Sequence, residues 1–197
     1  MIISTGIADA EEIQEAVEAA RDGGCKELAM LHCVSGYPAP AEDYNPRTIP
    51  DMMQGFGLVT GLSDHNLDNT TAIASVVLGA SIIEKDFTLD RNGGGLDDSF
   101  SLEPVDFAGL CRDSKTVWCT LGRVDYGLKS SEVGNAMFRR SLYFTKDIDA
   151  GDAITSDCVR SVRPGYGLAP KLLSEILGRK VISKVKKNTP VKFEVVS

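Results

Sequence analysis

The chain holds two histidines in 197 residues, His32 and His65. His65 ends a polar run, Ser63-Asp64-His65, that closes the apolar stretch before it. An imidazole at a strand terminus is suited to ligate a metal or to move a proton near neutral pH; a capping or structural histidine is the alternative. A second apolar run, Ile82-Ile83, breaks into Glu84, Lys85 and Asp86. A buried strand avoids charge until it reaches solvent, so this ending points to a strand whose last residues face a ligand. Alternation along a strand puts Glu84 and Asp86 on one face. There a carboxylate can handle a proton or a sugar-type hydroxyl; the alternative for Glu84 is a surface salt bridge with Lys85 or Arg91. His32, inside the hydrophobic run MLHC, reads as a satisfied, buried histidine that could at most support the site from behind. Cys33 beside it reads as inert packing.

Positioning these groups requires a scaffold, and the first 120 or so residues supply a regular one. Short apolar runs alternate with amphipathic stretches: strands at 2–3, 27–33, 58–62 and 81–87, helices from Asp9, over 47–56, over 71–78 and over 103–121. Asp9 followed by Glu12 forms a capping box, and Gly23-Gly24 a stop. Strand-then-helix units recurring at roughly 25–30 residues indicate a parallel α/β architecture. A doubly wound sheet and a (β/α)8 barrel both fit. The polar residues cluster just after each strand, at Ser4-Thr5, His32, Ser63-Asp64-His65, and Glu84 with Asp86. That placement favours the barrel, whose sites are assembled at the carboxyl ends of several strands. Four strands cannot close such a barrel, so half of it is missing from this reading. Residues 122–138 lack a period and read as a linker. Residues 139–197 turn to short strands and turns with one short helix over 170–177, a small, mostly β domain.

Composition narrows the functional classes. A net charge of −7 argues against nucleic acid as the main partner. No apolar run is long enough to span a bilayer, and the N-terminus lacks the basic start of a signal peptide. Five scattered cysteines without a CxxC look like free thiols in a reducing compartment, with cytoplasm the default.

Five segments carry a resemblance: LHCVSGYPAP at 31–40, GLSDHNLDN at 61–69, IIEKDFTLDR at 82–91, GGGLDDSFSLEP at 93–104 and VRPGYGLAPKLLSEILGRKV at 162–181. Together they resemble the sialic acid synthase family, a (β/α)8 barrel followed by an antifreeze-like (SAF) domain. The resemblance covers the second half of the barrel (1–121), the linker (122–138) and the SAF domain (139–197). The combination of FRRSL with RPGYGL is most similar to the pseudaminic acid synthases, with N-acetylneuraminate and legionaminate synthases next. It implies a condensation of phosphoenolpyruvate with the aldehyde of an acetamido sugar, here a 6-deoxy-2,4-diacetamido-altrose. Phosphate is released, a nine-carbon 2-keto acid forms, and a divalent metal, Mn2+ or Mg2+, polarises the aldehyde.

Residue by residue, the resemblance makes His65 one of two metal ligands and Asp86 the other, where the family carries histidine in a KHFT-like motif. A carboxylate there still suits a hard cation. Glu84 and Asp97 match acids near the substrate; for Asp97, in the loop behind Gly93-Gly94-Gly95, an Asx turn is the alternative. Ser4, Ser35 and Ser63 match positions that contact phosphoenolpyruvate, and Tyr37 one that contacts the sugar. Arg163 matches an arginine that the SAF domain extends into the partner subunit's site in a domain-exchanged homodimer; a turn with a solvated arginine is the alternative. The family's phosphate-binding lysines lie on earlier strands, which this chain does not include. The expectation is therefore a truncated enzyme or one half of a split enzyme with a separate N-terminal half. Alone, four strands with open edges should fold poorly. The rival readings are a non-catalytic sugar-binding relic and a metal-dependent aldolase acting on pyruvate.

Overall fold

A computed structural model describes residues 1–197. The chain divides into two compact units, Met1–Val124 and Asp125–Ser197.

The first unit is built from four strand–helix pairs: β1 (Ile2–Ser4) and α1 (Ala10–Asp22), β2 (Ala29–Cys33) and α2 (Thr48–Phe56), β3 (Val59–Asp64) and α3 (Thr70–Val77), β4 (Ile82–Lys85) and α4 (Pro104–Leu121). The strands form one parallel sheet in the order β1-β2-β3-β4, the right arrangement for half a barrel. The outer edges of β1 and β4 have no neighbour in the chain. The α1 start follows from its sequence: the Asp9 carboxylate accepts from the Glu11 and Glu12 backbone N–H groups, and the Glu12 carboxylate accepts from the Asp9 N–H. This reciprocal pair satisfies donors that the first helical turn leaves orphaned. Ile13 and Val17 then face Met30 and Met52, one small core. A larger core gathers Tyr44, Ile49, Leu62, Ala72, Leu102 and Leu110 between the sheet and α2–α4.

Register decides which side chains meet. Leu31 pairs with Gly61 and Gly61 with Ile82; Cys33 pairs with Ser63 and Ser63 with Glu84. Gly61 is required by this closeness: a Cβ there would lie 2.3 Å from the Ile82 carbonyl oxygen and 2.6 Å from Leu31 Cδ2. The face bearing Leu31, Cys33, Ser63 and Glu84 corresponds to the inside of a barrel. The opposite face, with Met30, Leu62 and Ile83, packs on the helices.

The second unit has its own core of Leu142, Phe144, Ile148, Ile154, Val181 and Val191 with neighbours. Its regular elements are few: β5 (Ser141–Phe144) antiparallel to β6 (Val159–Val162), and α5 (Leu173–Ile176). Isolated bridges such as Ile148–Val185 and Ala153–Lys180 tie the remaining turns together. The stretch read as a linker contains a 3-10 segment, Ser130–Phe138, whose short-range bonds leave no apolar period for sequence inspection to detect. No helix is long and apolar enough to cross a membrane.

Candidate functional site

Each candidate side chain of the first unit is placed by the alternation of β3 and β4. On the inner face Ser63 Oγ donates to Glu84 Oε1 at 2.8 Å. One step further along, just past both strand ends, His65 Nδ1 meets Asp86 Oδ2 at 2.7 Å. These are successive rungs of one ladder, so the same-face placement of Glu84 and Asp86 holds, and the neighbour each finds is on β3. A carboxylate only accepts, so Nδ1 carries the proton and donates it to Asp86, which leaves the Nε2 lone pair for another partner. That partner in the chain is Cys33, whose Sγ lies 3.5 Å from Nε2. Cys33 is thus a member of the site. Its place follows from the register, in which it pairs with Ser63, and its thiol alone gives no sequence signal.

Tyr37 lies against His65, with ring centroids 4.3 Å apart, and against Phe100 at 5.2 Å. With Asp86 and Asp97 these three rings line a concavity of about 320 Å³. Phe100 was not anticipated, and nothing in its local sequence distinguishes it from a core residue. Asp97 is exposed toward this concavity, while its neighbour Asp98 secures the loop. Asp98 Oδ1 accepts from the Thr88 hydroxyl at 2.6 Å and Oδ2 from the Gly95 N–H at 2.7 Å. Those two bonds, Thr88 first, hold the Asp98 carboxyl below its ordinary range. The loop-fixing task considered for Asp97 therefore belongs to Asp98.

The serines behave differently from one another. Ser63 is buried and its hydroxyl is committed to Glu84. Ser4 and Ser35 are exposed at the ends of β1 and just beyond β2. Gly6 lets the β1–α1 connection close over the latter: a Cβ there would lie 2.2 Å from Ser35 Oγ and 3.3 Å from Cys33 Sγ. Arg163 belongs to the second unit, exposed on the loop after β6. That loop is held by Ser141, whose hydroxyl donates to the Pro164 carbonyl at 2.8 Å and accepts from the Gly167 N–H at 2.9 Å. Arg163–Pro164 and Tyr37–Pro38 are cis.

The helix-side face carries a second polar cluster that sequence inspection did not pick out. Lys85 Nζ lies 2.9 Å from Asp64 Oδ2, with both side chains almost wholly buried. Asp64 Oδ1 accepts from the Tyr44 hydroxyl at 2.7 Å and the Asn66 N–H at 3.0 Å. Lys85 donates to the carbonyls of Asn66 and Asp68. Burial, then the Asp64 carboxylate, pushes the Tyr44 phenol far above its ordinary value. His32 also stands on this face, half-buried rather than buried, with Nε2 against the Tyr44 carbonyl. It does not stand behind His65. Lys85 and Arg91, considered as partners of Glu84, pair instead with Asp64 and with Glu103 and Asp106.

As a cation site the inner face offers one free imidazole nitrogen with a thiol beside it and a carboxylate behind the ring. No three His, Cys, Asp or Glu side chains converge as ligands. His65 Nε2 is a nitrogen donor that could contribute one ligand to a divalent cation there.

Comparison with known proteins places the chain. The NeuB family model matches residues 1–126 and the SAF domain model residues 139–196. A pseudaminic acid synthase of Campylobacter jejuni is 36% identical over 185 residues, covering 94% of this chain and 54% of that protein. An N,N'-diacetyllegionaminic acid synthase of the same species is 34% identical, covering 91% and 54%. The crystal structure of an N-acetylneuraminic acid synthetase from Leptospira borgpetersenii, in complex with citrate, superposes with a TM-score of 0.61 at 33% identity, over 68% of this chain and 47% of that one. The chain spans about half the length of the curated relatives it matches. With a parallel half barrel followed by an antifreeze-like domain, and both family models matched in order, this chain belongs to the NeuB family of nonulosonic acid synthases.

Proposed function

We propose that this chain supplies the carboxyl-terminal half of a phosphoenolpyruvate-dependent synthase that acts on an acetamido sugar aldehyde, the 6-deoxy-2,4-diacetamido-altrose of pseudaminic acid synthesis. The observation that carries this reading is the inner-face ladder, Ser63–Glu84 followed by His65–Asp86, at the mouth of a concavity floored by Tyr37 and Phe100. Carbon 3 of phosphoenolpyruvate bonds to the aldehyde carbon, whose oxygen ends as a hydroxyl. Water adds to carbon 2, and the bond from carbon 2 to the phosphate oxygen breaks, giving the 2-keto acid and phosphate.

A divalent cation held at His65 would supply Lewis-acid polarisation of the aldehyde. The chain's own residues do the rest. Asp86 accepts the Nδ1 proton and so fixes the ring and its tautomer. Ser63 donates to Glu84 Oε1, which leaves Oε2 to take a proton from water or to bind a sugar hydroxyl. Tyr37 and Phe100 present an apolar wall to the sugar, and Asp97 an acceptor for its hydroxyl or amide groups. Ser4 and Ser35 stand at strand ends where hydroxyls can donate to the phosphoenolpyruvate carboxylate or phosphate. Arg163 suits the acetamido carbonyl of a sugar bound by the partner subunit in a domain-exchanged homodimer.

Completion needs four further βα units with phosphate-binding lysines, from a longer polypeptide or a separate chain. The unpaired edges of β1 and β4 support this, as does an apolar concavity of about 510 Å³ between α3 and α4, lined by Val76, Ile83, Phe107, Leu110 and Trp118. The five cysteines are all free, in keeping with a reducing cytoplasm. The test is to supply the amino-terminal half of a relative and to measure phosphate release with phosphoenolpyruvate and a panel of acetamido sugars. Release with the altrose-configured sugar, lost in Glu84→Gln, is expected. Preference for N-acetylmannosamine or the legionaminate precursor would move the assignment to a sister activity. Release with no sugar selectivity, or none across sugars and metals, overturns it. In the latter case the sugar-binding relic, which the histidine-to-Asp86 change favours, takes its place.

A further inference from the structure

We propose that Asp98 is a positioning residue of the sugar-facing site: its carboxylate closes the 88–98 loop on itself, so that Asp97 is presented to the concavity. The inference rests on the reading of Asp97 as an acceptor for the sugar and adds the device that holds it there. The chain leaves β4 through Asp86, runs out to Gly93-Gly94-Gly95 and returns beside its own outgoing limb. There the Leu102 N–H donates to the Asp86 carbonyl at 2.8 Å and the Thr88 N–H to the Leu102 carbonyl at 3.0 Å. The base of the loop is thus fixed to the segment that carries Asp86. Arg91 fastens the outgoing limb to the start of α4, through its N–H to Glu103 and its guanidinium to Asp106. What remains is the span from Gly93 to Asp97, where three glycines bring no side chain to pack and Leu96 is 99% exposed. Glycine is conformationally permissive, so an untied span of this kind would hold Asp97 in many orientations.

Asp98 supplies the tie. Its Oδ1 accepts from the Thr88 hydroxyl on the outgoing limb at 2.6 Å, and its Oδ2 from the Gly95 N–H at the turn at 2.7 Å. Both oxygens are engaged, whereas an amide of the same shape offers one acceptor oxygen. The glycines make room for this carboxylate. A Cβ at Gly95 would lie 2.9 Å from Asp98 Oδ2 and 3.0 Å from its Cγ, and one at Gly93 would lie 3.0 Å from Oδ2. Of the three, Gly94 alone has a positive φ, of 85°, so at Gly95 it is the carboxylate, not the backbone, that opposes a side chain. On the other side of Asp97, its carbonyl accepts from the hydroxyl of the buried Ser101 at 2.7 Å. The backbone of Asp97 is therefore held at both ends, while its side chain lines the concavity with Tyr37, His65, Asp86 and Phe100.

The first readout needs no turnover. Hydrogen exchange of the Gly95 N–H, followed by NMR in the 197-residue chain, should be at least about 10-fold faster in Asp98→Ala, which removes a charged acceptor. Thr88→Val keeps that charge and removes one donor, and should speed exchange by about 3-fold. Asp98→Asn, able to accept from one limb, should fall between the parent and Asp98→Ala. In the chain completed with the amino-terminal half, Asp98→Ala should raise KM for the altrose-configured sugar about 10-fold and leave KM for phosphoenolpyruvate within about 2-fold. Loss of folding would instead lower the active fraction and leave both KM values unchanged. Gly95→Ala, whose methyl displaces the carboxylate, should raise the sugar KM to a similar extent. Added to Asp98→Ala it should have no further effect, since no carboxylate is left to displace. Unchanged Gly95 exchange in Asp98→Ala overturns the proposal. Faster exchange with an unchanged sugar KM overturns it as well, and so does full additivity of Gly95→Ala with Asp98→Ala. The two readings fail separately. If no completed enzyme releases phosphate, the synthase is removed; a sugar affinity of the chain weakened about 10-fold in Asp98→Ala then supports this inference, and one that is unchanged, or absent in the parent, overturns it. Phosphate release in the parent with the same sugar KM in Asp98→Ala leaves the synthase standing and removes the positioning role.

Discussion

The two faces of β3 and β4 use the same chemistry for opposite ends. On the helix side, Asp64 and Lys85 form an ion pair with side-chain exposures of 0% and 1%, capped by Tyr44 and by backbone carbonyls. On the barrel side, one residue later on each strand, His65 and Asp86 form a pair at nearly the same distance with exposures of 12% and 29%. Alternation alone separates them. In the buried pair Lys85 donates to two backbone carbonyls beside Asp64, whose Oδ1 accepts from Tyr44 and the Asn66 N–H, which suits it to hold the strand ends in place. The half-open pair keeps a ring nitrogen facing Cys33 and the concavity, which suits it to bind something. Charge at a strand end is thus informative about function only when the face it points to is known.

Breaking the buried cluster gives the largest expected effect. Lys85→Met leaves Asp64 as a buried carboxylate without its counter-charge and should destabilise the first unit by about 3–5 kcal/mol. Trp118, the one tryptophan in the chain, lies on α4 and reports that unit by fluorescence in urea denaturation. The double variant Asp64→Asn with Lys85→Met should recover part of the loss. Equal damage from the single and double variants would show that packing, rather than an unpaired charge, sets the cost. Tyr44→Phe should cost about 1.5–3 kcal/mol, because a buried hydrogen bond to a charged group is lost while the ring is kept. A loss below that range would mean that water replaces the hydroxyl.

The barrel-side pair should respond in the reverse way. Asp86→Asn should change the denaturation midpoint little, by under about 1 kcal/mol, because a part-exposed pair contributes modestly. It should nevertheless alter metal binding. A large stability loss in Asp86→Asn would make that pair structural and erase the contrast between the faces.

How much of this was legible beforehand follows from the same physics. Helix caps and strand ends have local signatures, so α1 with its Asp9–Glu12 box and the four strand–helix pairs could be read in order. Same-face placement of Glu84 and Asp86 follows from a period of two. Pairings across the sheet depend on register, which is set by non-local packing such as the close approach that Gly61 permits. That is why Lys85 looked like a surface neighbour of Glu84, and why the Cys33 sulfur looked inert. Tyr44 and Phe100 arrive from loops whose course no periodicity records.

The smallest expected effect extends the comparison to an ion pair that is mostly exposed. In the second unit Lys146 Nζ lies 2.5 Å from Asp157 Oδ2, both side chains more than half exposed. The Lys146 ammonium, then the Thr155 hydroxyl, holds the Asp157 carboxyl down at about 2. A carboxyl with a depressed folded value binds fewer protons folded than unfolded, so its contribution is present above its ordinary value of about 3.9 and is lost as pH falls toward 2. Lys146 is raised by the same partner, so its share is present at neutral pH and is lost only as alkali deprotonates it. The urea midpoint of the second unit should therefore differ between Asp157→Asn and the parent at pH 5 to 9. The two should converge toward pH 2, and the gap should shrink with added salt, since exposed charges are screened. A gap that persists unchanged at pH 2 would assign the Asp157 effect to the Thr155 turn it caps and not to charge. The Lys146 pair would then join the helix-side network as a question of geometry, leaving His65–Asp86 as the pair whose worth lies in what it can bind.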